Sequence, residues 1–343
     1  VRAEYDEMRQ NHQNRQEGRT LLALEAAREK GNHIDFAKSP TPPPAFVGEK
    51  VFSEFPLREI ANYIDWTFFF SAWELKGRYP DIFKDPKKGK EAKKLFDDGN
   101  ELLQKLISQR LLDARGILSI LPANAVGDDI HVFSRDNAGK ATPDFVVHTL
   151  RQQMSKDTGA YQALSDFVAP KDSGIVDHMG FFAVTCGNGV DELVKQYEAD
   201  GDEYNAILVK VLADRLAEAF AELLHLKVRK EFWGYAANEN LGLRELLTVK
   251  YSGIRPAPGY PACPDHSEKH TLFDFLEIER KIGISLTESG AMWPGASVCG
   301  YYFAHPQSNY FALGKIGDDQ LTDYANRKGI TPDVARKWLA HHL

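Results

Sequence analysis

The sequence predicts an α+β fold with a largely antiparallel sheet, on three observations. Apolar runs of strand length are joined in places by hairpin-sized turns. Long amphipathic helices separate the others. No regular strand–helix–strand alternation appears, which argues against a parallel, doubly wound sheet. No internal repeat is visible.

Each element follows from its own pattern. Residues 1–30 are charged and helix-prone, and Ser39-Pro-Thr-Pro-Pro-Pro-Ala reads as a stiff polyproline-like linker. Residues 1–44 are therefore expected to be a connector helix and linker, and 45–343 a compact domain. Leu95, Leu102, Leu103, Leu106 and Leu111 keep helical spacing and predict a helix over 91–113. Gly116 to Leu121 reads as a buried strand, Pro122 to Asp129 as a turn, and Ile130 to Phe133 as the returning strand. Strands are also expected at Asp144–His148 and His178–Thr185, the second ending in a turn at Gly187-Asn-Gly. Leu208, Val211, Leu212, Leu216, Phe220, Leu223 and Leu224 form the apolar stripe of a helix over 203–231, roughly 40 Å long. A helix over 271–282 follows. Strands at Ser297–Ala304 and Tyr310–Ile316 are joined by the His305-Pro-Gln-Ser-Asn turn. Two helices close the chain, 317–328 and 331–342, the second opened by Thr331-Pro332.

Composition narrows the function. With 43% hydrophobic and 27% charged residues, the 343-residue chain has the profile of a globular protein with a sizeable core. A net charge of −7 argues against a broad nucleic-acid surface. No apolar run approaches the ~18 residues of a membrane span. Three cysteines, Cys186, Cys263 and Cys299, are too few for a disulfide framework, and a reducing cytoplasm fits them.

The stretch richest in chemistry is Gly253-Ile-Arg-Pro-Ala-Pro-Gly-Tyr-Pro-Ala-Cys-Pro. Four prolines and two glycines in twelve residues exclude a regular helix or a central strand. Arg255 and Tyr260 thus sit on a stiff, irregular segment. Arg255 carries a planar fork of donors that grips a carboxylate or phosphate with two bonds. Tyr260 offers a face to a ring or a soft cation, and Gly259 would let a ligand approach the backbone. The plainer reading is a surface turn whose arginine pairs with a neighbouring acid. Upstream, Tyr63, Trp66, Phe68, Phe69, Phe70 and Trp73 pack six aromatics into eleven residues around Asp65. Asp65 is either the N-cap of a helix starting at Trp66 or an acid aimed at a ligand's ammonium. Together, Arg255 for a carboxylate, Asp65 for an ammonium, and Tyr260, Tyr310 and Phe311 for flat faces describe a pocket for a free amino acid with an aromatic or cationic tail. No acid–base pair or activated nucleophile accompanies them, so no catalytic residue is assigned.

Other motifs carry less. Cys263-x-x-His266-x-x-x-His270 has zinc-like spacing, but a helix follows at once and His266 can simply precede a cap at Ser267, so no metal site is assigned. Gly295-Ala-Ser-Val-Cys lacks the final glycine of a nucleophile elbow, which leaves Ser297 in a strand. Gly187-Asn-Gly lacks the setting of a dinucleotide loop. Asp129-Ile-His131 fits an ordinary hairpin strand. Glu218 and His225 fall near the edge of the long helix's stripe, where each reads as a satisfied helix residue.

The stretch Ile254-Arg-Pro-Ala-Pro-Gly-Tyr-Pro-Ala-Cys-Pro closely resembles the R-x-x-x-G-Y signature of the activation domain of cobalamin-dependent methionine synthase. So do Tyr63-Ile-Asp-Trp-Thr, Leu121-Pro-Ala-Asn, Asp166-Phe-Val-Ala-Pro-Lys, Asp214-Arg-Leu-Ala-Glu-Ala-Phe-Ala-Glu, Ala291-Met-Trp-Pro-Gly-Ala-Ser and His305-Pro-Gln-Ser. The resemblance runs from about residue 20 to the C-terminus. It implies a C-shaped single domain with a bent antiparallel sheet and long flanking helices, the last module of a larger methyltransferase. It implies binding of S-adenosylmethionine, whose methyl is presented for reductive methylation of inactive cob(II)alamin held by a separate module. Flavodoxin or a flavoprotein reductase would supply the electron. Arg255 would hold the ligand's carboxylate and Asp65 its amino group. Gly259, Tyr260, Tyr310 and Phe311 would line the rest, and Glu218 matches a family glutamate facing the corrinoid. The isolated chain is expected to bind without turning over methionine. Val249 stands where many relatives carry an acid, and Phe68 where many carry proline. The competing readings are a free-standing S-adenosylmethionine-dependent methyltransferase, which would need a general base at the pocket, and a zinc enzyme built on Cys263, His266 and His270.

Overall fold

The computed structural model describes residues 20–134 and 142–343. Residues 1–19 of the arm expected over 1–30 lie outside them. The chain opens with α1 (Leu24–Glu29), β1 (Gly48–Phe52), α2 (Leu57–Ala61), α3 (Trp66–Ser71) and α4 (Gly89–Ser108). Strands β2 (Asp113–Val126), β3 (Asp129–Val132), β4 (Phe145–His148) and β5 (Asp177–Asn188) follow, then helices α5 (Val190–Ala199) and α6 (Glu203–Lys227). After α7 (Leu243–Leu247) come α8 (Glu268–Leu276), α9 (Ile278–Ile282), β6 (Ser285–Leu286), β7 (Met292–Trp293) and β8 (Ser297–Tyr302). The chain closes with α10 (Asp318–Lys328) and α11 (Pro332–Trp338).

The main sheet runs β4-β3-β2-β5-β8, with β1 also on β2, and every named pairing is antiparallel. It curls into a half-barrel, and the α+β class is as expected. Long β2 carries β1 along Gly116–Ile120 and β3 along Ala123–Val126, while β5 covers its other edge. Both sheet faces are covered, so β2 and β5 read as nearly unbroken apolar runs. Leu118, Ile120, Phe182 and Val184 meet Leu212, Leu216 and Phe220 of α6 in one core. Ile117, Leu121, Phe181 and Ala183 point the other way, against Leu272, Phe273 and Leu276 of α8. A third cluster joins the two C-terminal helices to Leu150, Leu313 and Ile316. Among the described residues, no helix is long and apolar enough to cross a membrane.

Several expected boundaries move. Pro122 does not start a turn; β2 continues through it to Val126, and the turn shrinks to Gly127-Asp128, where Gly127 takes φ +60°. Proline is tolerated there because its missing N–H needs no partner, while its carbonyl accepts from the Phe133 N–H. The turn expected at Gly187-Asn-Gly narrows to Gly189, the N-cap of α5, because Gly187 and Asn188 end β5. The helix expected over 271–282 is two, broken at Glu277 with φ +52°. Tyr310–Ile316 is not a strand. Its amides and carbonyls are spent on scattered partners instead of a ladder: Leu313 N–H on the Pro261 carbonyl, Ile316 N–H on the His342 carbonyl, and the Ala312 carbonyl on Gln152. The Pro-rich segment lies against the body. The Pro42 carbonyl accepts from the Trp233 indole at 2.8 Å, and Thr41 donates to the buried Asp177 carboxylate.

Leu216 is fully buried between α6 and the sheet. Leu216→Ala should lower stability by about 2–5 kcal/mol with an unchanged m-value, read from urea unfolding.

Candidate functional site

The proline-rich loop is laid along the outer edge of β8. Ile254 and Phe303 exchange both backbone hydrogen bonds, and the Tyr301 N–H donates to the Pro256 carbonyl. Gly253 starts the loop at φ +81°, where an added Cβ would lie 2.4 Å from the Tyr235 hydroxyl. The loop then folds back on itself, the Gly259 N–H bonding the Cys263 carbonyl at 2.7 Å. The Pro261 carbonyl pins Leu313, which draws the 310–312 segment against the loop.

Between these segments and α6 lies a cavity of about 470 Å³. Its walls include Arg255, Tyr260, Tyr310, Phe311, Glu218 and Phe182. Four residues from the loop and the 310–316 stretch, together with Glu218, thus converge as the sequence suggested. Tyr260 and Tyr310 expose 58% and 44% of their surface, so their faces remain available. Burial raises the Glu218 carboxyl above its ordinary range, against the opposing pull of Arg215 and Arg255. A larger cleft of about 670 Å³ lies elsewhere, but its arginines, Arg28 and Arg151, are already committed to Asp128, Asp166 and Asp323. The smaller cavity is the chemically open one.

Arg255 is held from behind. Its Nη2 donates to Glu222 Oε2 at 2.8 Å, and its Nη1 to the Tyr251 hydroxyl at 2.8 Å and His225 Nδ1 at 3.3 Å. The acid-paired reading of this arginine and the cavity-lining reading are therefore both realised. Burial depresses Arg255, but Glu222 together with Tyr251 and Tyr310 more than offsets it, so its pKa is raised and the guanidinium stays charged. Its Nε makes no hydrogen bond among the described residues, which leaves one edge of the fork open to a carboxylate. His225 is fully buried, and burial, then Arg229 and Arg255, push its pKa well below the ordinary value. A neutral His225 accepting at Nδ1 carries its proton on Nε2, 3.4 Å from the Tyr235 hydroxyl. Phe182, Tyr302 and His225 stack in series, with centroids 4.7 and 5.1 Å apart, from the cavity wall to this cluster.

Asp65 is the N-cap of α3, its Oδ1 accepting the Thr67 N–H at 2.9 Å. It does not line the cavity. Gly259 serves another purpose than the expected one. At φ +94° its open side is filled by the His266 imidazole, which would sit 2.3 Å from an added Cβ. That placement, with Lys269 Nζ at 3.1 Å from His266 Nδ1, uses up the zinc-like spacing. Cys263 is buried, its thiol pushed well up by burial and then by Glu268, so it is a poor thiolate donor. No three-residue metal-binding group occurs among the described residues. Ser297 lies in β8, its hydroxyl donating to the Pro294 carbonyl at 2.7 Å. Val249 is exposed at φ +57°, and Phe68 is exposed with the Arg215 guanidinium 5.7 Å from its ring centroid.

Reading by residue type missed Glu222 and Tyr251 and took His225 for an ordinary helix residue. The signal was present: 218, 222 and 225 follow i, i+4, i+7 spacing on one face of α6.

The fold is an α+β domain with a curled antiparallel sheet and a cavity beside its proline-rich loop. The model of the family described as vitamin B12 dependent methionine synthase, activation domain, matches residues 56–329, and the chain belongs to that family. It is also similar to a crystal structure of the MetH reactivation domain bound to AdoHcy, with 49% identity and a TM-score of 0.91. That match covers 94% of this chain and 98% of the other.

The neutral His225 has a pH signature. Its folded pKa lies below the unfolded value of about 6.5, so the unfolded chain binds the extra proton as pH falls. Its contribution should be nil above pH ~6.5. Below that, stability should fall by up to about 1.4 kcal/mol per pH unit until the folded pKa is reached. Denaturant unfolding from pH 7.5 to 5 should show this slope, reduced in His225→Gln.

Proposed function

We propose that this domain binds S-adenosylmethionine in the Arg255–Tyr260–Tyr310 cavity. There it would present the sulfonium methyl for reductive methylation of inactive cob(II)alamin, held by another module of the same enzyme. The observation that carries the reading is the cavity itself. It combines a charged arginine, three aromatic faces and a half-buried acid, in a chain 49% identical to a domain bound to AdoHcy. Arg255 would grip the α-carboxylate through its open edge. Asp65 would take the ammonium with the carboxylate oxygen not used in the cap. Tyr260, Tyr310 and Phe311 supply faces for the adenine and the sulfonium. Gly259 shapes the loop that places Tyr260. Glu218, on the cavity's α6 side, is suited to face the corrinoid module.

The chain's own part is binding and orientation. Cobalamin would come with its own module, and flavodoxin or a flavoprotein reductase would supply the electron. On this reading the domain acts as part of a methyltransferase and does not turn over methionine by itself. It begins near residue 45, with 1–44 as its connector.

Calorimetric titration of S-adenosylmethionine should give saturable one-site binding to the wild-type chain. Arg255→Ala should weaken it by about 2–4 kcal/mol, the loss of a charge-assisted bidentate contact. A folded wild type that does not bind would refute the proposal.

A further inference from the structure

Residues 36–46 run as a strap over three separate parts of the body. Pro40 and Pro42–Pro44 carry no N–H, so the strap has few donors of its own and is held largely by donors that the body supplies. The His305 Nε2–H donates to the Ser39 carbonyl at 2.8 Å, and the Trp233 indole N–H to the Pro42 carbonyl at 2.8 Å. Thr41 donates to Asp177 Oδ2 at 3.1 Å, and the Ala45 and Phe46 N–H groups bond the carbonyls of Trp233 and Phe232. Phe36 is buried against the His305 ring, with centroids 4.9 Å apart. His305 is itself fully buried, and its two nitrogens have opposite duties. Nδ1 accepts the Gln307 N–H at 3.1 Å, so the proton sits on Nε2, where it serves the strap. Ser308 closes the turn, its N–H and its hydroxyl both donating to the His305 carbonyl. Two residues further on, Tyr310, Phe311 and Ala312 line the cavity. Trp233 opens a second route, since its ring meets that of Tyr235, whose hydroxyl lies 3.4 Å from His225 Nε2. Among the described residues, none of the strap lines the cavity.

We infer that the strap is a conformational device that couples the connector to the ligand cavity. Docked, it seats His305 and with it the 305–308 turn, which holds the 310–312 wall in place. Released, it takes the carbonyl partners away from two buried donors, His305 Nε2 and Trp233 Nε1. A buried donor without a partner is costly, so the turn has to rearrange to find a new one, and the wall moves with it. This rests on the reading that the cavity binds the ligand and that residues 1–44 are the connector. The prolines keep a released strap close to its extended docked shape, so release and redocking cost little chain entropy. The coupling is reciprocal: by whatever factor release weakens ligand binding, bound ligand suppresses release. A bound ligand therefore holds the connector, and a connector drawn off the body loosens the ligand.

The test combines calorimetric titration of AdoHcy into the full chain with hydrogen–deuterium exchange of the strap. A peptide beginning at Thr41 reports the Ala45 and Phe46 amides, because Pro42–Pro44 have none. Saturating AdoHcy should slow their exchange in wild type by about tenfold. The double variant Phe36→Ala/Thr41→Val removes two strap contacts without touching the cavity. Its Ala45 and Phe46 amides should exchange faster than in wild type without ligand, and it should bind AdoHcy about tenfold more weakly. A core change in α4, Leu103→Ala, should leave AdoHcy affinity within about twofold. Wild-type affinity in a double variant whose strap is released would overturn the inference. So would amides that stay protected in that variant, or an equal loss of affinity in Leu103→Ala, which would mark general destabilisation. Should the double variant not fold, wild type decides alone: exchange at Ala45 and Phe46 that AdoHcy leaves unchanged overturns the coupling. A wild type that does not bind AdoHcy at all would instead refute the reading of the cavity, and this inference with it.

Discussion

The ion pair between Arg255 and Glu222 is the constraint on which the site depends. Glu222 is buried on α6, and its Oε1 has no hydrogen-bond partner among the described residues. An isolated carboxylate there would be expensive; beside a guanidinium at 2.8 Å it is tolerated. The pair therefore fixes the proline-rich loop to the long helix. The guanidinium also donates to Tyr251 and His225. Arg255 lines the cavity as well.

The fold serves this arrangement. Helix α6 lies across the sheet with its apolar face in the core, so its position is set by many buried side chains rather than by the pair. Strand β8 is held by β5 on one edge and carries the loop on the other. The loop's prolines reduce the backbone's freedom, and the few amides it keeps are used to tie it to Phe303 and Cys263. A pre-shaped loop on a rigid sheet edge loses little entropy when a ligand arrives. Phe182, Tyr302 and His225 stack in series behind Arg255, and burial, then Arg229 and Arg255, keeps His225 neutral, so that it can accept.

Much of the fold was legible in the chain. The α6 stripe, the β2–β3 hairpin and β5 follow from apolar periodicity, because burial against two layers leaves a strong pattern. Tyr310–Ile316 misled for the same reason. Its alternating apolar residues look like a strand, but Leu313 and Ile316 enter a separate cluster with the C-terminal helices, and its backbone pairs with loops. The loop's residue types pointed to Arg255, Tyr260 and Tyr310 as a group. Gly259 is expected to admit a ligand close to the backbone; in the structure the His266 imidazole occupies that side.

By itself, the sequence determined the secondary-structure period, the stiffness of the 253–264 loop and the chemical types available for a ligand, all of which are local properties of the chain. The tertiary structure decided which acid meets Arg255. Glu222 lies 33 residues away and Tyr310 55 residues away in the chain. No periodicity encodes such distances. They arise only when α6 and the 310–312 segment pack on opposite sides of the loop. The cap formed by Asp65 and the Lys269 partner of His266 were settled in the same way. Each polar side chain there had several possible partners in sequence, and the geometry of the packed elements left one.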